Sequence, residues 1–329
     1  MMKKFLKIIG IFLTIIAIGV IGFVIYFNSH FPMVSAATQI KIESTPERLA
    51  RGSYLANHVT GCIDCHSKRD FSRYSGPIIP GTEGMGGEKF DDDFGNIPGV
   101  VYSKNITPAG LGTWTDGEIL RAITVGVNKD GEALFPLMQY KHFRNLCQED
   151  LYSIIAYIRS LKPIENKVPP RNLNFPVNLL VKLSPSDVSQ PFPPMPDKAN
   201  TVAYGAYMTN AVSCIECHTK LEKGEIIPGR EFAGGFRFCI NGKCANSANI
   251  TPDQSTGIGT LSKEDFIKKF TFYRDSTAQN IPVGIGGNNT PMPWIFFSGM
   301  NDDDLSAIYA YLRTVAPITN KVEKFTLKN

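Results

Sequence analysis

The longest uninterrupted apolar stretch lies near the N-terminus. Residues 8–27 carry no charge and are mostly Ile, Phe, Val, Leu and Gly. About 20 such residues, at 1.5 Å each, cross the roughly 30 Å hydrocarbon core of a bilayer. Past residue 45 the pattern changes. Leu151, Ile154, Ile155, Ile158 and Leu161 share one face of a 3.6-residue period. Leu305, Ile308, Tyr309, Leu312 and Val315 repeat that face. Thr115-Asp-Gly-Glu118 and Ser262-Lys-Glu-Asp265 read as capping-box-like starts of an earlier helix in each part. Elsewhere Gly and Pro are frequent and no period-2 alternation is sustained. The expected fold is all-α, with short helices joined by long ordered loops.

The two helical faces belong to a larger repeat. Cys62-Ile-Asp-Cys65-His66 and Cys214-Ile-Glu-Cys217-His218 lie 152 residues apart. Upstream, Gly52-Ser-Tyr54-Leu-Ala-Asn57 matches Gly205-Ala-Tyr207-Met-Thr-Asn210. Downstream follow Ile78-Ile79-Pro80-Gly81 against Ile226-Ile227-Pro228-Gly229, and Asn105-Ile-Thr-Pro108 against Asn249-Ile-Thr-Pro252. Gly110-Leu-Gly-Thr113 then matches Gly257-Ile-Gly-Thr260. From Met138 and Met292 the copies run in register with an offset of 154 up to the helical faces. Seven ordered matches point to one duplicated unit. Residues 163–196 hold nine of the 22 prolines, too many for a helix or a central strand. The expected division is 1–30 for the anchor, 45–162 for the first domain, 163–198 for the linker and 199–320 for the second domain.

Charge refines the topology. Lys+Arg number 34 against 30 Asp+Glu, a formal charge of +4. Lys3, Lys4 and Lys7 precede the apolar run, and no positive charge follows it until Lys41. The positive-inside rule keeps the N-terminus in the cytoplasm and exports the rest. The expectation is a retained single-pass anchor in the inner membrane, with both domains on the periplasmic side. Cleavage near Val34-Ser35-Ala36 is the competing reading, but 20 apolar residues exceed a signal h-region. The exported part then holds 31 basic against 30 acidic residues. Such a balance is no nucleic-acid footprint.

Two thiols three residues apart, followed at once by histidine, can attach one porphyrin. The thiols add across the vinyl groups and the imidazole reaches the iron. A zinc site built from both pairs would leave the two immediate histidines unexplained. A thioredoxin-like redox motif would need a βαβ context, which neither copy has. Two covalently attached haem c groups are expected, at Cys62, Cys65 and His66 and at Cys214, Cys217 and His218. The sixth ligand is sought among residues that recur. His30 sits at the membrane boundary, and His58 and His142 have no histidine counterpart. Met138 and Met292 recur in register, each before an aromatic and a helix, and are the expected ligands. Pro293 stiffens the loop of Met292, while Gln139 follows Met138. Met300 and Met85 compete, but neither has a methionine counterpart.

Three of the seven cysteines remain. Cys239 and Cys244 flank Asn241-Gly242, a two-residue hairpin turn that makes them a facing pair. A disulfide between them is expected outside the cytoplasm. Cys147 aligns with Asn301 at the N-cap of the last helix. There a thiolate would be favoured, though an inert, partly buried thiol is the preferred reading.

At these residues the chain resembles the class I cytochromes c. In particular it is similar to the membrane-bound multihaem cytochrome subunits of periplasmic alcohol, gluconate and sorbitol dehydrogenases. The resemblance covers roughly residues 46–320. It rests on Gly-x-Tyr-Leu before Cys62, both haem motifs, Gly86-Gly87 and Gly234-Gly235, and the two Asn-Ile-Thr-Pro segments. Pro291-Met-Pro-Trp294 and residues 304–313 complete it. It implies two tandem cytochrome c domains with His66 and His218 as proximal ligands and Met138 and Met292 as distal ones. Members of that group often carry three haem domains, and this chain has two. The implied function is outer-sphere electron transfer with no catalytic residue of its own. The partners would be an upstream dehydrogenase or quinol-oxidising complex and a downstream cytochrome or oxidase. A dihaem peroxidase or thiosulfate-oxidising enzyme is the rival from another class. A haem subunit of a larger dehydrogenase or oxidase complex shares every residue expectation.

Overall fold

The structure is a computed structural model that describes residues 2–95, 97–188, 191–222, 225–240, 242–284 and 286–328. Helix α1 (Met2–His30) is apolar all round beyond Lys7 and exposed along most of its length, with Phe27 buried near its end. Among the described residues it alone is long and apolar enough to cross a membrane. The first half of the body holds α2 (Pro46–His58), α3 (Cys62–Cys65), α4 (Pro108–Leu111), α5 (Asp116–Thr124), α6 (Tyr140–Phe143) and α7 (Gln148–Ser160). Then α8 (Val177–Leu180) lies in the Pro-rich stretch. The second half holds α9 (Thr201–Val212), α10 (Cys214–Cys217), α11 (Lys263–Thr271), α12 (Trp294–Phe297) and α13 (Asp302–Leu312).

Local chemistry accounts for the helix boundaries. Thr115 and Glu118 form a reciprocal capping box, each accepting the other's backbone N–H. Ser262 caps α11 by accepting from the Asp265 N–H at 3.1 Å. The apolar face of α7 is fully buried at Leu151, Ile154, Ile155 and Ile158, and that of α13 at Leu305, Ile308 and Leu312. In each half the first helix crosses the last at a glycine. An ideal Cβ on Gly52 would sit 1.9 Å from the Ser153 carbonyl oxygen, and one on Gly205 1.9 Å from that of Ala307. Only glycine lets the backbones approach so closely.

The all-α expectation is corrected by three small antiparallel sheets among the described residues. The first joins β1 (Lys89–Phe90), β2 (Gly99–Tyr102) and β3 (Asn172–Leu173), with Gly99 opposite Leu173. The second pairs β4 (Leu221–Glu222) with β5 (Glu225–Ile226). The third joins β6 (Arg237–Ile240), β7 (Lys243–Asn246) and β8 (Phe325–Leu327). Among the described residues no strand exceeds four residues, too short for alternation to show in the pattern. β3 and β8 also pair with strands far away along the chain. Cys239 faces Cys244 across β6 and β7 and is disulfide-bonded to it. Asn241 of that turn lies outside the described residues.

One hydrophobic core runs through both halves, from Leu55, Leu151 and Ile155 to Met208, Met300 and Leu305. A smaller cluster of Phe90, Ile97, Leu173 and Val181 lies under the first sheet and α8.

Candidate functional site

The two Cys-x-x-Cys-His motifs fold alike. Each is one helical turn, α3 or α10, entered through a left-handed residue: Gly61 at φ 67° or Ser213 at φ 58°. In both, the histidine N–H closes the turn on the first cysteine carbonyl. Residues at i, i+3 and i+4 of a helical turn share one face. Each turn therefore presents two thiols and an imidazole together.

The imidazoles are oriented from behind. His66 Nδ1 lies 2.6 Å from the Lys104 carbonyl oxygen, and His218 Nδ1 lies 2.8 Å from that of Ala248. A carbonyl only accepts, so Nδ1 carries the proton and donates it. The Nε2 lone pair is then free, the arrangement a metal-ligating histidine uses. Burial pushes both histidines below their ordinary pKa, against the pull of those carbonyl bonds. They are neutral at pH 7, as ligation requires.

The thiols are protonated. Burial pushes Cys62 up to about 11 and Cys65, Cys214 and Cys217 up to about 12. A redox-active dithiol needs a depressed pKa instead. Cys65 and Cys217 are exposed, Cys62 is buried and Cys214 lies between. Among the described residues, no three His, Cys, Asp or Glu side chains converge as a bare metal ion would need. The donor set suits a metal carried in by an organic group.

Met138 and Met292 are half-buried and pack against the core that buries Cys62. Their turns match: the Tyr140 N–H donates to the Met138 carbonyl and the Trp294 N–H to the Met292 carbonyl, each at 2.8 Å. The short helices α6 and α12 follow at once. Met300 is fully buried in the core, with its carbonyl accepting from Arg274. Met85 is half-buried, and its carbonyl accepts from Asn166 at 2.9 Å. Cys147 is buried at the N-cap of α7, and its Sγ lies 3.5 Å from the Tyr207 hydroxyl.

Each methionine turn is braced by the other half. Ser75 Oγ donates to the Met292 carbonyl at 2.6 Å and accepts from the Trp294 N–H at 2.9 Å. Asn289 accepts from the Ser75 N–H and donates to the Phe71 and Arg73 carbonyls. His58 reaches the Phe296 carbonyl of α12 at 3.1 Å. On the first side, His142 of α6 meets Glu216 of the second motif at 2.5 Å and Asn210 at 3.1 Å. Asp64, at the place matching Glu216, pairs instead with buried Arg69 at 2.7 Å.

The helices exchange a second set of bonds. Tyr54 donates to Asp304 at 2.5 Å and Tyr207 to Asp150 at 2.6 Å, each across the halves. Their oxygens accept from the Asn301 and Cys147 N–H groups respectively. Tyr204 and Arg51 bond the aspartate of their own half, Asp304 and Asp150. Sequence reasoning missed these ties. The repeated Gly-x-Tyr and the repeated aspartate were the available signal. His142 and Ser75 leave none, having no counterpart.

No family model matches the chain. Curated proteins do. The chain is similar to cytochrome c subunits of dehydrogenases. It is 26% identical over 291 residues to the "Alcohol dehydrogenase (quinone), cytochrome c subunit" of Gluconacetobacter polyoxogenes, covering 84% of this chain and 58% of that one. It is 26% identical over 282 residues to the "Gluconate 2-dehydrogenase cytochrome c subunit" of Pantoea cypripedii, covering 80% and 59%. A "Diheme cytochrome c-type" of Cereibacter sphaeroides is 27% identical over 271 residues, covering 78% and 83%. The chain thus spans a little over half the length of the two dehydrogenase subunits. These cytochrome relatives are electron-transfer components, not catalytic subunits.

Proposed function

We propose that the chain is a dihaem c-type cytochrome that transfers electrons between membrane and periplasmic redox partners. The observation that carries this is the duplicated helical turn, which sets two thiols and an Nδ1-anchored neutral imidazole on one face. Cys62 and Cys65, and Cys214 and Cys217, would each hold one haem through thioether bonds. His66 and His218 would bind iron through Nε2, and Met138 and Met292 would supply the other protein ligand to each iron. Haem iron held this way supplies a one-electron couple, its potential raised by methionine, and offers substrate no open position. The protein's own residues orient the imidazoles and fix the methionine turns, largely from across the halves. The dihaem enzyme reading is not favoured, because both copies carry the same donor set and the relatives are electron carriers.

The tandem cytochrome c units would span 45–162 and 199–320, with 163–198 joining them. A retained α1 would hold them on the periplasmic face of the inner membrane. The names of the relatives favour an upstream dehydrogenase as donor, and a cytochrome or oxidase would accept. A pyridine haemochrome assay on the chain expressed with haem-attachment machinery should give two haems per chain. It should give one after Cys62→Ala with Cys65→Ala, and one after Cys214→Ala with Cys217→Ala. One haem or none in the unaltered chain would overturn the reading.

A further inference from the structure

The segment around α8 is apolar on two faces. Val181 is buried beside Leu173, and Val177 packs against the same small cluster. Away from that cluster, Phe175 is 79% exposed and Leu180 and Leu183 are each 50% exposed. Residues 172–181 contain no charge. Large apolar side chains clustered on the free side of a segment are normally covered by something. Burying three such side chains gives a substantial driving force for a second contact.

The position of the segment says what covers it. Lys182 Nζ donates to Asn28 Oδ1 at 2.6 Å, in the last turn of α1. Asp187 accepts from the Ser35 N–H at 2.8 Å and from its hydroxyl at 2.7 Å. Both ends of the chain's exit from α1 are therefore tied to residues 182–187. With α1 across a bilayer, Asn28 lies at headgroup level, and so does the segment bonded to it. Met33, 67% exposed, adds apolar surface on the same exit.

We propose that residues 175–183 form a second membrane contact, with Phe175, Leu180 and Leu183 in the boundary between headgroups and acyl chains. Lys182, bonded to Asn28, keeps its ammonium at the polar level. The segment is an interfacial anchor, not a span. It turns a single tether into two points of attachment and fixes how the body faces the membrane. The proposal rests on the reading of α1 as a membrane anchor.

The test uses the full haem-loaded chain in phosphatidylcholine vesicles carrying a photoactivatable diazirine on one acyl chain. After irradiation, lipid adducts are mapped by mass spectrometry. Adducts are expected on α1 and on the peptide holding residues 175–183. Adducts on α1 with none on 175–183 would overturn the proposal, as would cross-links from that peptide to a second copy in place of lipid. Absence of adducts on α1 would instead sink the anchor reading. In Phe175→Ser/Leu180→Ser/Leu183→Ser, labelling of the segment should fall about tenfold or more. Labelling of α1 and the haem content should not change. Should that variant lose haem, the map of the unaltered chain decides alone.

Discussion

His142 is a titratable group held between the two halves by Glu216 and Asn210. Burial works against its imidazolium. The Glu216 hydrogen bond and charge and the Asn210 bond outweigh burial and the neighbouring Lys141, and raise its pKa above the ordinary value. A raised folded-state pKa stabilises fully below the unfolded value, about 6.5 for histidine. That contribution is lost as pH climbs through the folded value. The bridge therefore weakens from near-neutral pH upward, not toward acid. Thermal midpoints of the unaltered chain and of His142→Gln should differ most below the ordinary histidine value of about 6.5 and converge as pH climbs through the raised folded-state value. A difference that does not vary with pH would refute a charged bridge. Asp64 and Arg69 show the contrasting solution to an acidic residue inside the motif. That pair is buried within one half, with side chains 7% and 4% exposed. Losing Arg69 there would strand a buried charge.

Among the elements, the crossings of α2 with α7 and of α9 with α13 are set by Gly52 and Gly205. A methyl at either would lie 1.9 Å from a backbone oxygen that no rotamer change can move. Gly52→Ala and Gly205→Ala should each cost about 3 kcal/mol by forcing helices apart. Gly284, with open space around it, should tolerate alanine with little change. Equal midpoints for Gly52→Ala and Gly284→Ala would contradict the packing. These crossings sit within Gly-x-Tyr, repeated in the sequence, and the helices were legible there because face spacing and caps are local signals. The motif turns were legible for the same reason. The small sheets were not: strands of two to four residues show no period, and β2 with β3 joins segments about 70 residues apart. Ser75 and His142 were equally hidden, since each acts on the other half. A duplicated sequence reveals what the copies share and conceals what makes them fit together.

At the scale of the molecule, the two halves share one core and exchange matched bonds, so they should unfold together. Asp304 and Asp150 are the centres of that exchange, 3% and 1% exposed. Asp304 accepts from two hydroxyls, half-buried Tyr54 and buried Tyr204, one from each half. Burial and the Asp304 carboxylate push both hydroxyls well above the usual tyrosine range, so both remain donors at neutral pH. Asp150 accepts from Tyr207 across the halves and from Arg51 at 2.8 Å. Hydrogen bonds to a charged partner contribute about 1.5–3 kcal/mol each. Asp304→Ala should therefore cost at least about 3 kcal/mol. Asp150→Ala should cost about 3 kcal/mol, since it removes the bonds to the Tyr207 hydroxyl and to the half-buried Arg51 guanidinium. Glu149→Ala breaks the neighbouring pair with Arg48, whose carboxylate is 59% exposed, and should cost under about 1 kcal/mol. All three variants should melt in one transition, with circular dichroism and haem absorbance coincident. Two separated transitions in Asp304→Ala, one per haem, would show instead that the halves are independent units that merely touch.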